Sequence, residues 1–244
     1  MKTVILCGGR GSRAYPHTET LPKPLLDVGG QPILRHVMDI FAAQGHREFI
    51  LATGYLGEQI AAFAQELPGE WDVTTLDTGA DTGTGARVEL CRPHLGERFM
   101  VTYGDGVGDV DLARLLECHG ASGATATLTT VPLPSPYGTV DFDADGRVLA
   151  FHEKPILQDH WINAGFFVFE AEAFDSWLGD DLEREVLPNL ASAGRLYAYR
   201  HTGFWSSMDT YKDALRLASF CREGEPPWLA RRVSEQESPL VEPG

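Results

Sequence analysis

The chain has 244 residues, 43% of them hydrophobic, and a formal net charge of −15 at pH 7. That length and apolar share suffice for one substantial core, so one domain with excursions is expected. The negative balance argues against a protein that grips nucleic acid through a basic surface, and no apolar run approaches the roughly 20 residues that span a bilayer, so neither nucleic acid nor membrane is expected as a partner.

Met1 and Lys2 lead straight into Val4, Ile5 and Leu6, followed at once by Gly8 and Gly9, which is too short an apolar stretch for a signal peptide. The cysteines Cys7, Cys91, Cys118 and Cys221 are dispersed, form no CxxC pair and read as small buried hydrophobes of a reducing compartment. Cytoplasmic residence is the expectation. The 26 glycines are about half again an average share, which suggests tight turns and close approach of backbone to a ligand.

Thr3 to Cys7 reads as a buried strand that runs into a glycine-rich loop, GGRGSR, at Gly8 to Arg13. Ile33, Val37, Ile40 and Phe41 recur at helical spacing within Gln31 to Gln44, opened by Pro32 and closed by Gly45. Phe49 to Thr53 is the next strand, and Ile60, Phe63 and Leu67 mark a second helix face. Strand, loop, helix, strand, helix is the opening of a doubly wound α/β sheet.

Val73 to Asp77 and Phe99 to Tyr103 read as strands, with the glycine-rich segment from Thr78 to Arg87 read as a loop between them. Asp111 to His119 reads as a helix and Ala124 to Val131 as a strand. Gly138 to Phe142, Val148 to Phe151 and Phe166 to Phe169 read as short strands of a small antiparallel subregion laid over the core. Helices return at Leu182 to Leu190 and Met208 to Phe220. The domain is therefore set at residues 1–220, with 221–244 as a proline-rich extension, partly disordered or an oligomer arm.

The first glycine loop offers consecutive backbone N–H groups to an anion, with Arg13 adding a forked cation. Its spacing matches neither a dinucleotide fingerprint nor a P-loop. Lys23 is held between Pro22 and Pro24, a stiff setting for an ammonium that must hold phosphate. Asp105 follows a central strand and is flanked by Gly104 and Gly106, which suits a Mg²⁺ and triphosphate ligand at a strand's carboxyl end. Asp209 reads either as its partner in a two-carboxylate metal site or as the N-cap of the last helix. Glu153 and Lys154 follow a strand as an adjacent acceptor and cation, or as ordinary surface charge. Asp109 and Asp111 read as helix-start or surface residues. The scattered His17, His36 and His46 give no zinc pattern.

Six ordered blocks, GGRGSR (Gly8 to Arg13), PKP (Pro22 to Pro24), YGDGV (Tyr103 to Val107), EKP (Glu153 to Pro155), WINAGFFVFE (Trp161 to Glu170) and GFWSSMDT (Gly203 to Thr210), resemble the sugar-1-phosphate nucleotidyltransferases. DTGADTGTGAR (Asp77 to Arg87) is most similar to the glucose-1-phosphate cytidylyltransferases among them. The resemblance implies a Rossmann-like nucleotidyltransferase fold with a mainly parallel sheet. It implies that Leu6, Gly8, Gly9, Gly11, Ser12 and Gly104 help hold the nucleotide, that Arg13 and Lys23 neutralise its phosphates, and that Asp105 and Asp209 bind Mg²⁺. Thr82, Thr84 and Arg87 would offer hydrogen bonds to the base. Lys154 would meet the phosphate of the acceptor, and Gly138, Glu153 and Asn163 its organic part.

The implied reaction joins CTP to a sugar 1-phosphate, with glucose 1-phosphate the leading acceptor, and releases pyrophosphate. A non-sugar phosphate or phosphonate acceptor, and a non-catalytic nucleotide-sugar sensor, are the alternatives. A homo-oligomer is expected. Two departures stand out: Ser12-Arg13-Ala14 replaces the family's usual Thr-Arg-Leu, and the passage from Leu67 to Asp77 is short for a glucose-1-phosphate cytidylyltransferase.

Overall fold

The computed structural model describes residues 1–224 and 226–229. The chain opens with β1 (Thr3–Leu6), then a tight two-stranded turn of β2 (Asp27–Val28) and β3 (Gln31–Pro32) that feeds α1 (Ile33–Ala42). Pro32 caps α1 from an extended conformation, and the apolar face runs through Ile33, Leu34, Val37, Met38, Ile40 and Phe41, all buried. β4 (Glu48–Thr53), α2 (Gly57–Gln65) and β5 (Asp72–Asp77) complete the opening alternation. Of the second helix face, only Ile60 is fully buried.

The segment expected as a loop ends instead in α3 (Thr84–Cys91), which buries Val88 and Cys91. β6 (Arg98–Tyr103) runs into β7 (Gly106–Gly108), and α4 (Leu112–Ser122) is capped by Asp111, whose side chain accepts from Arg114 N. β8 (Ala126–Pro134), β9 (Thr139–Phe142), β10 (Val148–His152) and β11 (Ile156–Glu170) follow. A π-helical turn at Leu182–Val186 precedes α5 (Leu187–Ser192), where a single continuous helix was expected. β12 (Leu196–Arg200), β13 (Trp205–Ser207) and α6 (Tyr211–Glu223) end the described elements.

Seven strands form the central sheet in the order β12-β8-β11-β6-β1-β4-β5. The pairings β1 with β4, β1 with β6, β4 with β5 and β12 with β8 are parallel, while β11 is antiparallel to both β6 and β8. Phe166 to Phe169 therefore belongs to the main sheet, and the expected antiparallel subregion reduces to the β9–β10 ribbon; β7–β13 and β2–β3 are separate antiparallel pairs. The cause is the length of β11, 15 residues, whose first residues pair with Pro134 and Leu133 of β8 alone and whose last, Phe166 to Phe169, lie between β6 and β8 in the core.

Both faces of the sheet are covered, as a sheet buried on two sides requires. On one face Ile5, Met100, Phe166 and Val168 pack with α1, Leu112, Leu115 and Leu217. On the other, Val4, Leu6, Phe99, Phe167 and Phe169 pack with Val88, Phe174, Trp177 and Leu190. Each such side chain contributes about 1.5–3 kcal/mol when fully buried. Cys7 and Cys91 are buried in these cores as expected, whereas Cys118 and Cys221 are half-buried. Most of the expected C-terminal extension lies outside the described residues. Within them, Trp228 is 2% exposed and packs against His36, Phe204 and Phe220. No helix among the described residues is long and apolar enough to cross a membrane.

Candidate active site

Strand β1 pairs with β4 on one side and β6 on the other, so the chain leaves its carboxyl end at a point where the winding of the sheet reverses. Such a switch point opens a crevice for ligands. Here the crevice has a volume of about 410 Å³, and Leu6, Gly8, Gly9, Gly11, Arg13, Lys23, Thr82, Arg87, Gly104 and Asp105 all line it. Ser12, the remaining residue expected at the nucleotide, is exposed on the loop and outside that lining.

The loop is anchored at both ends. Gly8 O accepts from Tyr55 N at 3.1 Å and from the Arg87 guanidinium at 3.0 Å. A Cβ on Gly8 would lie 2.0 Å from Arg87 Nη1, so only glycine fits there. Gly11 sits at φ +61°, in the left-handed region that favours glycine, and opens the single 3₁₀ turn Ser12–Ala14 that carries Arg13. Ala14 is 2% exposed, so the loop's departure from a bulkier residue at this position is accommodated inside the core.

Lys23 begins another short 3₁₀ turn, the third in the chain, after Pro22, whose φ of −65° is the proline value. Its side chain is 10% exposed, and its Nζ lies 2.5 Å from Asp105 Oδ2 and 3.4 Å from Asp209 Oδ1. Arg13 Nη2 reaches the same Asp209 oxygen at 2.9 Å. Two cations and two carboxylates thus alternate in one cluster. The β7–β13 pair brings the carboxylates together, with Met208 N donating to Asp105 O at 2.9 Å.

Asp209 does not cap α6. Thr210 does, accepting from Asp213 N, while the Asp213 carboxylate closes the box on Thr210 N at 2.8 Å. Freed from that duty, Asp209 faces the cations. Asp105 and Asp209 supply two hard oxygen donors converging on one point. That fits Mg²⁺, which is commonly held by one or two carboxylates with substrate phosphates and water filling the rest.

Arg87, expected to face the base, is 3% exposed. Its guanidinium donates to Thr53 O at 2.9 Å, Thr78 Oγ1 at 2.6 Å, Gly8 O at 3.0 Å and Ala80 O at 3.4 Å. Burial holds it below the usual arginine range. It fastens the loop after β5 to the loop after β1. Thr82 Oγ1 donates to Thr78 O, which leaves its oxygen free to accept.

The acceptor-side residues gather less tightly. A Cβ on Gly138 would lie 3.2 Å from Glu153 Oε2 and 2.4 Å from the Phe151 ring, so Gly138 and Glu153 are neighbours. Lys154 has φ +47° and an exposed side chain whose Nζ is 3.9 Å from Glu153 Oε1. Asn163 Nδ2 donates to the Tyr103 hydroxyl at 3.1 Å, which connects β11 to the crevice wall. None of these four lines the crevice directly.

Residues 2–222 match the family model for Nucleotidyl transferase. The chain belongs to the nucleotidyl transferase family. Over 93% of its length it is 39% identical to the "Probable glucose-1-phosphate cytidylyltransferase" of Bacillus subtilis, covering 99% of that protein. It is 36% identical to the glucose-1-phosphate cytidylyltransferase of Salmonella typhi, covering 93% of this chain and 98% of the relative. The fold is shared with HddC from Yersinia pseudotuberculosis at 22% identity, a TM-score of 0.70, and coverage of 92% of this chain and 99% of that one. The family resemblance carried by the six sequence blocks, and the Rossmann-like fold it implied, agree with these relatives.

In this nucleotidyl transferase, part of the crevice wall was not expected from sequence. Cys7, Pro24, Gly83, Tyr103, Asp181 and Glu183 also line it, as does Thr84, which was expected to hydrogen-bond the base. Burial, with the Asp105 charge adding to it, pushes the Cys7 thiol up, so it does not serve as a thiolate nucleophile. Burial and then Glu183 push the Tyr103 hydroxyl up, keeping it a proton donor. Asp181 and Glu183 sit in the acidic run Asp180 to Glu185, where nothing in the local sequence separates a crevice residue from a solvated helix start.

Proposed function

We propose that this nucleotidyl transferase joins CTP to a sugar 1-phosphate, with glucose 1-phosphate the leading acceptor, and releases pyrophosphate. The observation that carries the reading is the alternating cluster of Arg13, Asp209, Lys23 and Asp105 at the carboxyl end of the sheet. Such a cluster manages phosphate charge. The named activities of the Bacillus and Salmonella relatives support cytidylyl transfer to glucose 1-phosphate.

A phosphate monoester has its second pKa near 6, so the acceptor's phosphate oxygen is largely ionised at neutral pH and needs no histidine base. That oxygen forms a new bond to the α-phosphorus in line, and the α–β bridging P–O bond breaks with its electron pair leaving on pyrophosphate. The difficulty is the approach of one anion to another. Arg13 and Lys23 hold the triphosphate charge and fix its orientation. Lys154, exposed beside Glu153, is free to meet the acceptor phosphate, while Glu153 and Asn163 accept and donate to its hydroxyls. Mg²⁺ on Asp105 and Asp209 would supply neutralisation of phosphate charge.

The cytosine preference is supported by Thr82. Its hydroxyl proton is committed to Thr78 O, so toward a ligand it offers only an acceptor. Cytosine presents an amino donor where uracil presents a carbonyl, and a buried mismatch of that kind separates the two bases. Arg87 shapes the loop rather than reading the base. A complete set of charged residues favours turnover over a sensor that only binds.

The experiment is a matrix of CTP, UTP, ATP and dTTP against sugar phosphates and non-sugar phosphates or phosphonates, with joined products identified by mass spectrometry. CTP with glucose 1-phosphate is expected to give the most product. Better use of another triphosphate defeats the base assignment, and a non-sugar product replaces the acceptor while keeping nucleotidyl transfer.

A further inference from the structure

A continuous chain of hydrogen bonds crosses the crevice wall from the acceptor side to the nucleotide side. Asn163 on β11 is fixed by its own strand, its Oδ1 accepting from Gly165 N at 2.8 Å. Its Nδ2 donates to the Tyr103 hydroxyl at 3.1 Å, and that hydroxyl donates to Glu183 Oε1. The other oxygen of Glu183 accepts from Thr84 Oγ1 at 2.7 Å, and Thr84 Oγ1 accepts from Leu182 N at 2.9 Å. The directions are mutually consistent, the Tyr103 and Thr84 hydroxyls each accepting one bond and donating one.

The two ends of the path are built to receive it. At one end, β11 breaks register between Asn163 and Phe167, and Gly165, at φ +80°, leaves the space the Tyr103 ring fills: a Cβ there would lie 2.3 Å from Tyr103 Cδ2. At the other end, Asp180 O accepts from Gly85 N at 2.8 Å and Ala86 N at 3.1 Å, so the first turn of α3, which carries Thr84, is capped by the segment that carries Glu183. That segment is a π-helical turn, Leu182–Val186, a rare conformation that recurs at functional positions.

We infer that Tyr103 and Glu183 are positioning residues that couple the nucleotide loop at Thr82–Thr84 to the acceptor side at Asn163. Order imposed on one end by its substrate is passed to the other, so each substrate binds better when its partner is present. The identity of the two ends rests on the nucleotidyl-transfer reading, whereas the hydrogen-bonded path does not.

The test uses Tyr103→Phe, which deletes the bridging hydroxyl while keeping the ring against Gly165 and Phe167. In the unliganded protein, amides 180–186 are expected to exchange hydrogen about tenfold faster in the variant, the consequence of losing a hydrogen bond to a charged group. For the coupling, the affinity for glucose 1-phosphate is measured with and without α,β-methylene CTP. The native protein is expected to bind the sugar phosphate about fivefold or more tightly with the analogue present, and Tyr103→Phe to lose that difference. Glu183→Gln, which keeps one acceptor oxygen, is expected to fall between the two. Unchanged exchange at 180–186, or coupling that survives in Tyr103→Phe, overturns the inference. Failure of the native protein to bind either probe counts instead against the substrate assignment, and the exchange measurement still decides the path.

Discussion

Lys23 Nζ lies 2.5 Å from Asp105 Oδ2, with the lysine side chain only 10% exposed. On the proposed reading, a cation and a carboxylate that would both serve a triphosphate hold each other before it arrives. Breaking a pair so placed by removing one partner leaves the other charge poorly solvated. On that reading, Lys23 and Arg13 would turn to phosphate oxygens, while Asp105 and Asp209 would hold a divalent cation that neutralises phosphate charge.

Asp209→Asn is predicted to lower turnover about 10²-fold or more, by analogy with removal of a strong charge-stabilising contact, and to leave the melting temperature close to that of the native protein. The reason for the second half is that Thr210 and Asp213, and not Asp209, cap α6. Thr210→Ala is the control, with an expected loss of about 1 kcal/mol in urea unfolding and little change in turnover per folded molecule. A stability loss in Asp209→Asn with native turnover would restore the helix-cap role.

Arg87→Met is predicted to act mainly on stability. Its removal takes a donor from Thr53 O, Thr78 Oγ1, Gly8 O and Ala80 O; Gly8 O keeps Tyr55 N and Thr53 O keeps Thr78 N, so the cost is about 1–3 kcal/mol, set mainly by the buried Thr78 hydroxyl. Urea unfolding checks this. A variant as stable as the native protein but unable to discriminate CTP from UTP would mean that the guanidinium reads the base after all.

Lys154→Met is predicted to raise KM for the phosphorylated acceptor at least tenfold while changing KM for CTP little, since it keeps an elongated side chain and removes the charge. The exposed position of Lys154 predicts a melting temperature near the native one. Steady-state kinetics with each substrate varied in turn is the measurement. Equal impairment toward both would assign Lys154 to the triphosphate as well.

His36 gives a prediction about pH. Its Nε2 donates to Val28 O at 2.8 Å, while Nδ1 faces the donors Trp228 Nε1 at 3.3 Å and Gln31 Nε2 at 3.1 Å. A second ring proton would point at donors, and burial holds the imidazole below its ordinary value of 6.5. Between the folded and unfolded values the unfolded chain binds more protons, so this contribution to stability is complete above pH 6.5 and is lost as the pH falls below it. NMR titration of the His36 ring should give a midpoint under 6.5. A midpoint at or above that value contradicts the assignment.

The sequence made the crevice legible where local chemistry is unusual. GGRGSR, Lys23 between two prolines, and Asp105 between two glycines each break the ordinary pattern of strand or helix, and all three converge at the sheet's switch point. Asp209 was ambiguous because a helix start and a metal ligand ask for the same residue type, and only the capping box of Thr210 and Asp213 separates the two. Helix α3 was hidden by the glycines of Asp77 to Arg87, because its stability comes from tertiary caps: Asp180 O holds its first amides, and Trp177 Nε1 donates to Gly85 O at 3.1 Å. Tyr103 and Glu183 carry no local signal for a related reason. A tyrosine ending a strand and a glutamate in an acidic run become partners only through contacts between residues 80 positions apart.

The most direct test of cytidylyl transfer is a pyrophosphate-release assay with Mg²⁺ and CTP, run with and without glucose 1-phosphate, the products being weighed by mass spectrometry. Release that requires the sugar phosphate, with one CDP-sugar formed per pyrophosphate and none when Mg²⁺ is chelated, is the predicted result. Pyrophosphate or phosphate released from CTP at the same rate without any acceptor, and no joined product, would contradict it.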